Sequence, residues 1–193
     1  MNTFRYVLAT LLIVTVLPAV FVWFVIHPFV RFWRRLGPGW TYAVLAVPWI
    51  ASMGLLFHAR SVLLGTDFGT RWTLVVVGAA VFAGALALGV TRRRQLTTRI
   101  LSGIPELTQG NPGRLLTEGV YDRLRHPRYV EVILGVTSYA LVANYSGGYV
   151  VVLVTVASMV PLVLLEEREL RDRFGVAYDE YARRVPRFIP RWR

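Results

Sequence analysis

The sequence contains no cysteine and no lysine, and its three histidines lie far apart, at positions 27, 58 and 126. The missing cysteine excludes disulfide bonds and thiolate metal sites, and the histidine spacing predicts no metal site. Acidic residues are scarce, since 22 arginines stand against 11 acids and give a net charge of +11. Only 17% of the 193 residues are charged and 55% are hydrophobic, which is typical of a membrane protein rather than a soluble domain.

The excess of arginine leaves two classes of partner to weigh. A net charge of +11 is compatible with binding to nucleic acid. However, the arginines cluster beside apolar segments, which is the pattern that keeps loops on the cytosolic side of a membrane. We therefore expect no nucleic-acid partner and instead contacts with membrane lipids.

Long uncharged segments predict the architecture. A helix needs about 20 mostly apolar residues to cross the hydrocarbon core. Four segments carry no charge at neutral pH: Val7–Ile26, Trp40–Ala59, Trp72–Thr91 and Val132–Leu165. The last is long enough for two helices and is interrupted by a turn-forming stretch at Asn144–Gly148. We therefore predict an all-α integral membrane protein with five transmembrane helices, of which the last two form a hairpin.

The whole chain, 1–193, is expected to form one membrane domain, with three N-terminal helices in 1–91 and the catalytic part in 92–193. Small residues in the third segment, Gly78, Gly84 and Gly89, predict close helix packing. A turn is predicted at Asn111–Gly113. The first segment lacks a small-x-small cleavage site, so we expect a retained helix rather than a signal peptide.

The arginines also indicate the orientation. The first loop holds Arg31, Arg34 and Arg35 without an acid, and arginines outnumber acids in the connection 92–128 and in the tail after Leu165. Positively charged loops stay in the cytosol. We therefore expect an outside N-terminus and a cytosolic C-terminus, in the cytoplasmic membrane of a prokaryote. The sequence does not indicate an oligomeric state.

The stretch 119–129, GVYDRLRHPRY, is the first candidate site. Pro127 favours the first position of a helix, and the residue before a proline is pushed out of the helical region, which predicts His126 as the N-cap. The N–H groups of this helix start, beside Arg125 and the imidazole, favour an anionic group such as a carboxylate. In the alternative interpretation His126 only caps the helix and the arginines are ordinary cytosolic charges.

An acid pair, Glu166 and Glu167, ends the last apolar segment. Glu167 has Arg171 four residues on, so it can belong to a solvated charged face. Glu166 continues the apolar stripe of Leu162 and Val163 and has no local cation. An inward-facing acid near membrane depth without a local partner is a functional candidate. With nearby tyrosines, it would suit a zwitterionic amino acid that carries a sulfonium group.

An ordered series of motifs carries a family resemblance. The series comprises Leu116-x-x-Gly119-x-Tyr121, Arg125-His126-Pro127-x-Tyr129, Glu166-Glu167, Phe174-Gly175-x-x-Tyr178-x-x-Tyr181 and Val185-Pro186-Arg187-x-Ile189-Pro190. On these residues the chain resembles the isoprenylcysteine carboxyl methyltransferase and phospholipid N-methyltransferase group of integral membrane enzymes. The resemblance covers roughly residues 116–190.

The resemblance implies S-adenosylmethionine as methyl donor, with S-adenosylhomocysteine as product, in a cytosolic pocket formed by the third loop and the tail. It implies cofactor contacts at the motif positions, namely Tyr121, Arg125, His126, Pro127, Tyr129, Glu166 and Glu167. Arg187 and Tyr181 lie where family members shape the pocket and its substrate opening, so they are catalytic candidates. The acceptor would be lipophilic, either a prenylcysteine carboxylate, a lipid amine or a thiol, and would enter sideways from the bilayer.

One position departs from the family pattern. Family members commonly have glycine two residues after the motif tyrosine, where this chain has Glu131. A carboxylate there either fills space near the cofactor or faces a polar acceptor, which makes Glu131 a third catalytic candidate.

Two other functions remain open. One is an NADPH-dependent membrane reductase of the steroid 5-alpha-reductase type, whose C-terminal half looks similar. The Arg-His-Pro-x-Tyr and Glu-Glu motifs favour the methyltransferase over it. The other is a non-catalytic scaffold or a transporter. A transporter would carry ionisable groups at mid-bilayer, and His58 is the only such residue in the predicted spans.

Overall fold

The computed structural model describes residues 3–94 and 114–190. Within these ranges the chain is helical, with one isolated bridge between Asp67 and Tyr145 and no strand. The long helices are α1 (Thr3–Ile26), α3 (Pro38–His58), α5 (Trp72–Arg93), α7 (Pro127–Ala143) and α8 (Ser146–Phe174). The short ones are α2 (Val30–Leu36), α4 (Arg60–Leu63), α6 (Val120–Arg123) and α9 (Val176–Arg184). The predicted all-α class is confirmed.

Four helices, α1, α3, α5 and α8, are long and apolar enough to cross a membrane. Large apolar side chains on them face outward, as Leu55 and Leu153 do with 69% of their surface exposed, and a bilayer would cover them. The chain is therefore an integral membrane protein. Helix α7 has 17 residues, a length of roughly 25 Å against the ~30 Å of a hydrocarbon core. Its role as a fifth span stays a prediction.

Three helices form the centre of the bundle. Helices α1, α7 and α8 each pack against the other two, while α5 packs along α7 and α3 along α1. The buried side chains between the central helices include Ala9, Leu12, Ile13, Val136 and Ala140.

Glycines bring α5 and α7 together. A Cβ atom on Gly78 would lie 2.8 Å from Val142 Cγ2, and one on Gly89 would lie 2.6 Å from Glu131 Oε1. Gly84, by contrast, has open space around its Cα. The predicted close packing is therefore confirmed at two of the three glycines.

The predicted hairpin between α7 and α8 is present, with a shorter turn than expected. Asn144 adopts the left-handed conformation, with φ 55° and ψ 50°, and its N–H donates to the Ala140 carbonyl at 2.8 Å. Asparagine tolerates this conformation better than most residues. A single left-handed residue reverses the chain, so α8 begins at Ser146, inside the stretch expected to form the turn.

Polar contacts at the two ends of the bundle show which loops lie at the same end. At one end, the buried Arg5 forms an ion pair with Asp67, and its Nε donates to the Ala143 carbonyl at 2.9 Å. At the other end, Arg34 on α2 forms an ion pair with Glu169 on the extension of α8.

The N-terminus, the α4–α5 loop and the hairpin turn thus share one end, and the first loop and the tail share the other. This grouping agrees with the alternation expected from the arginines. Which end is cytosolic stays a prediction. The turn predicted at Asn111–Gly113 lies outside the described residues.

Candidate active site

The predicted helix start is present at His126 and Pro127. His126 is the N-cap of α7 and Pro127 occupies its first turn, with the proline side chain fully buried. The His126 side chain makes no capping hydrogen bond to this helix, because its ring turns toward the acid pair on α8. Its Nε2 lies 3.2 Å from Glu167 Oε1 and its Nδ1 lies 3.7 Å from Glu166 Oε2.

The tail runs alongside this helix start. The N–H of Arg125 donates to the Pro186 carbonyl at 2.9 Å, and the N–H of His126 donates to the Arg187 carbonyl at 3.2 Å. The hydroxyl of Tyr181 on α9 donates to the Tyr121 carbonyl at 2.7 Å. Two segments separated by the whole α7–α8 hairpin therefore join into one surface at this end of the bundle.

Glu167 ties the joined segments together. Its side chain is 1% exposed, and Arg125 Nη1 lies 2.8 Å from Oε1. Arg187 adds a two-point contact, with Nε 2.9 Å from Oε1 and Nη2 2.8 Å from Oε2. This hydrogen bonding to Glu167 raises the pKa of Arg187. The interpretation of Glu167 as part of a solvated face is therefore wrong, because the tail covers it, although Arg171 does lie 3.9 Å away as its spacing predicted.

Glu166 has different surroundings. Its side chain is 32% exposed, and its Oε2 is buried without a hydrogen-bond partner in the described part of the chain. The Tyr129 hydroxyl faces the same carboxylate. Of the acid pair, Glu166 is thus the member with unused hydrogen-bonding capacity.

Two carboxylates around one imidazole control the charge of His126. Burial of the ring lowers its pKa, but hydrogen bonds and charge from Glu166 and Glu167 outweigh that effect, so the pKa lies above its usual value. The ring therefore holds its proton more tightly than a free histidine does.

Aromatic side chains surround this group. The ring of Tyr129 lies edge-on to that of His126 at 5.6 Å and to that of Trp23 at 5.5 Å. Phe188 in the tail approaches the other side of His126 at 6.1 Å. Behind them lie the buried side chains Met159, Leu162 and Val163. Such a cluster excludes water and presents ring faces that attract cations.

Glu131 stands one turn into α7 and pairs with an arginine. Its Oε2 lies 2.8 Å from both Nε and Nη2 of Arg92, which is 6% exposed at the end of α5. Arg92 also faces the Tyr121 hydroxyl. Burial raises the pKa of this hydroxyl, and the nearby Arg92 opposes the increase. Glu131 therefore reaches the site through Arg92 and Tyr121.

The structure brings together most of the predicted site residues, namely Arg125, His126, Tyr129, Glu166, Glu167 and Arg187, with Tyr121 and Tyr181 beside them. Their roles, and the cofactor pocket itself, stay predictions.

Sequence reasoning missed Trp23 and Arg92. Arg92 directly follows an apolar segment, where an arginine is read as a cytosolic loop charge, and Trp23 lies in an unbroken apolar run. No local signal distinguished either residue.

Several known proteins resemble parts of the chain. It is 28% identical to a mouse (Mus musculus) Delta(14)-sterol reductase, TM7SF2, over 70% of the chain and 33% of the reductase. It is 28% identical to protein-S-isoprenylcysteine O-methyltransferase B of Arabidopsis thaliana, over 65% of the chain and 59% of the enzyme. It is 34% identical to the nickel-cobalt-cadmium resistance protein NccN of Alcaligenes xylosoxydans xylosoxydans, over 40% of the chain and 36% of that protein. The chain thus spans between a third and three fifths of the length of these relatives.

A family model settles the grouping. The phospholipid methyltransferase model matches residues 72–177, which run from α5 into α9 and contain both the helix start and the acid pair. The match covers more than half of the chain and agrees with the resemblance carried by the motifs. The chain belongs to the phospholipid methyltransferase family.

Proposed function

We propose that the chain is an S-adenosylmethionine-dependent methyltransferase that acts at the membrane on a lipophilic acceptor. The single observation that carries this proposal is the approach of His126 Nδ1 to Glu166 Oε2, 3.7 Å apart, where the start of α7, the last third of α8 and the tail meet. Within the described part of the chain, this oxygen is buried without a hydrogen-bond partner. A buried polar atom of this kind calls for a hydrogen-bond donor.

The residues present fit the proposed cofactor. Its amino acid end offers an ammonium group to Glu166 and a carboxylate to the N-terminus of α7, where the helix dipole and His126, whose pKa is raised, favour an anion. The rings of Trp23, Tyr129 and Phe188 suit the sulfonium. When bound, the cofactor supplies an electrophilic methyl group that a nucleophile displaces in line.

The chain contributes positioning and exclusion of water rather than a covalent step. Arg125 and Arg187 hold Glu167, and through it they fix His126 and the tail. We propose that Glu167 is mainly an organising residue and Glu166 the cofactor ligand. Tyr181 holds the backbone at Tyr121, and Arg187 closes the tail over the site. A carboxylate or thiolate acceptor needs no base, whereas an amine must first lose a proton.

Cofactor titration of the purified protein tests this proposal. S-adenosylmethionine or S-adenosylhomocysteine at about 100 times its dissociation constant should stabilise the fold by about 2.7 kcal/mol and raise the melting temperature. Glu166→Ala should abolish this shift while lowering the melting temperature of the free protein less than Glu167→Ala does. No shift with either compound in the wild type would reject the proposal.

A second candidate is a nicotinamide-dependent reductase. The similarity to the mouse sterol reductase over 70% of the chain favours it, whereas the family match favours methyl transfer. The same titration with NADPH separates them, because only a true ligand shifts the melting temperature. If neither cofactor does so, a non-catalytic scaffold becomes the better account.

The acceptor and the orientation belong to this proposal as well. We propose that the acceptor reaches the site from within the bilayer, along the outward apolar surface of the bundle. We propose a lipid or lipid-modified acceptor and a site on the cytosolic face of a prokaryotic membrane. Incubating membranes with methyl-labelled S-adenosylmethionine and identifying the labelled lipid or peptide fraction would name the acceptor.

A further inference from the structure

His27 lies at the end of α1, outside the residues that the family model matches. Its N–H donates to the Trp23 carbonyl at 3.1 Å, so it continues the last turn of the helix. The side chain is half-buried, and its Nδ1 is fully buried without a hydrogen-bond partner among residues 3–94 and 114–190. The methyl-transfer proposal above does not use this nitrogen.

A second buried atom without a partner belongs to the neighbouring helix. Glu166 Oε2 lies on α8 about two turns before the helix ends, and the nearest cationic atom that the structure gives is His126 Nδ1 at 3.7 Å. Most buried polar atoms in folded proteins do have a partner. Arg125 Nε and Tyr178 Oη are also buried without a hydrogen-bond partner among the described residues, but these two side chains face each other. His27 Nδ1 and Glu166 Oε2 remain, on two helices that pack together, which points to one partner that they share.

The surroundings connect the two atoms. Trp23, one turn before His27, packs against Tyr129 at 5.5 Å and lies below the Arg128 guanidinium at 5.0 Å. Helix α1 packs against both α7 and α8. Trp23 and Phe24 pack with Leu162 and Val163 of α8, and His27 and Glu166 lie one further turn along these two helices. The groups around His27 are thus the acid and the aromatic rings of the candidate active site.

We propose that His27 is a further ligand-binding residue of this site and that it accepts, together with Glu166, hydrogen bonds from one amino group. A carboxylate oxygen and an unprotonated imidazole nitrogen are both acceptors, and an ammonium or amine group carries several N–H donors. The inference rests on the proposed methyltransferase function. Two molecules could supply the amino group: S-adenosylmethionine through its amino acid end, or an amine-bearing acceptor such as a lipid ethanolamine headgroup.

Three variants of the full chain test the inference. His27→Phe keeps an aromatic ring and removes the acceptor atom, whereas His27→Asn keeps an acceptor near the position of Nδ1. His58→Phe is the matched control, because His58 is exposed at the end of α3 on the opposite end of the bundle. Calorimetry in detergent measures binding of S-adenosylhomocysteine and of its analogue without the amino group. Melting temperatures verify that each variant is folded.

If the cofactor supplies the amino group, His27→Phe should weaken S-adenosylhomocysteine binding about tenfold, the cost of losing a hydrogen bond to a charged group. His27→Asn and His58→Phe should stay within about threefold of the wild type. The deaminated analogue should bind the wild type and His27→Phe equally. If the acceptor supplies the amino group, His27→Phe should leave cofactor binding unchanged and raise the KM for phosphatidylethanolamine in lipid nanodiscs about tenfold.

One result would overturn the role of His27 and leave the proposed function intact. In that result the wild type binds S-adenosylhomocysteine, and His27→Phe changes neither the affinity for this compound nor any methylation of phosphatidylethanolamine. An equal loss in His58→Phe, or an equal loss for the deaminated analogue, also overturns it. A wild type that binds no S-adenosyl compound overturns the proposed function and this inference together.

Discussion

Arg187 and Glu167 form a two-point ion pair, with Nε 2.9 Å from Oε1 and Nη2 2.8 Å from Oε2. The arginine belongs to the tail, and the acid lies on α8 about two turns before that helix ends. Because the Glu167 side chain is 1% exposed, its charge is solvated by protein groups rather than by water. The pair therefore holds the tail against the helix start that it covers.

Replacing Glu167 with alanine should destabilise the protein strongly. The change leaves Arg125 and His126 without this counter-charge, and breaking a buried charge pair costs about 3–5 kcal/mol. We expect a lower melting temperature and faster proteolysis after the tail arginines. Arg184→Ala is the control, since Arg184 is exposed at the end of α9. A Glu167→Ala protein as stable as this control would contradict the organising role.

Replacing Glu166 should produce the opposite pattern. Glu166→Gln keeps the shape of the side chain and removes the charge that a cationic ligand group needs. We expect S-adenosylhomocysteine binding to weaken at least tenfold, since a hydrogen bond to a charged group contributes about 1.5–3 kcal/mol. The melting temperature of the free protein should fall less than in Glu167→Ala, because Glu166 pairs with His126 whereas Glu167 also binds Arg125 and Arg187. A large loss of stability without a loss of affinity would instead assign Glu166 a structural role.

The sequence predicted the helices well and the site in part. Uncharged runs indicated the long helices, and Pro127 indicated the start of α7, because these features act locally. The sequence could not indicate that Glu167 is covered, since its partner Arg187 lies beyond a glycine that redirects the chain at Gly175, where φ is 54°. Arg92 and Glu131 meet only because α5 and α7 pack closely at Gly89. Contacts set by tertiary packing leave no local pattern.

Stability should depend on pH through His126. The pKa of its ring lies above the usual 6.5 in the folded protein, because hydrogen bonds and charge from Glu166 and Glu167 outweigh burial. The folded state therefore binds the proton more tightly than the unfolded state does. The stabilising contribution is complete below pH 6.5 and is lost as the pH rises through the raised pKa. Melting temperatures measured across this range should fall in the wild type and stay flatter in His126→Asn.

The ion pair of Arg5 and Asp67, at the end of the bundle opposite the candidate active site, should affect stability but not cofactor binding. The hydrogen bond from Arg5 lowers the pKa of Asp67 below its usual 3.8. The contribution of this ion pair to folding stability is present above pH 3.8 and is lost as the pH falls through the lowered pKa of Asp67. Asp67→Asn should cost about 1.5–3 kcal/mol at neutral pH, because Arg5 is buried and loses a charged partner. Cofactor affinity should not change, and a change would indicate coupling between the two ends.

Variants of the ion pair between Arg92 and Glu131 should separate the effect of this pair on stability from its effect on methyl transfer. Breaking it with Glu131→Gln leaves Arg92, which is 6% exposed, without its main counter-charge. We expect a loss of about 3 kcal/mol or more in stability, together with slower methyl transfer, because Arg92 faces the Tyr121 hydroxyl. Replacing both partners by apolar residues, Arg92→Met with Glu131→Leu, should recover much of the stability, since a buried pair is often no more stable than an apolar one.

Methyl transfer by the double variant is the deciding measurement. If Glu131 acts by holding Arg92 against Tyr121, turnover should stay several-fold low despite recovered stability, while S-adenosylhomocysteine affinity stays within about threefold of the wild type. Asp67→Asn serves as the comparison, because it removes the ion-pair partner of the buried Arg5 at the other end of the bundle. Wild-type turnover in the stable double variant would mean that the pair only fastens α5 to α7. A normal KM for the acceptor beside the low turnover would place the effect of Arg92 in the reaction step rather than in acceptor binding.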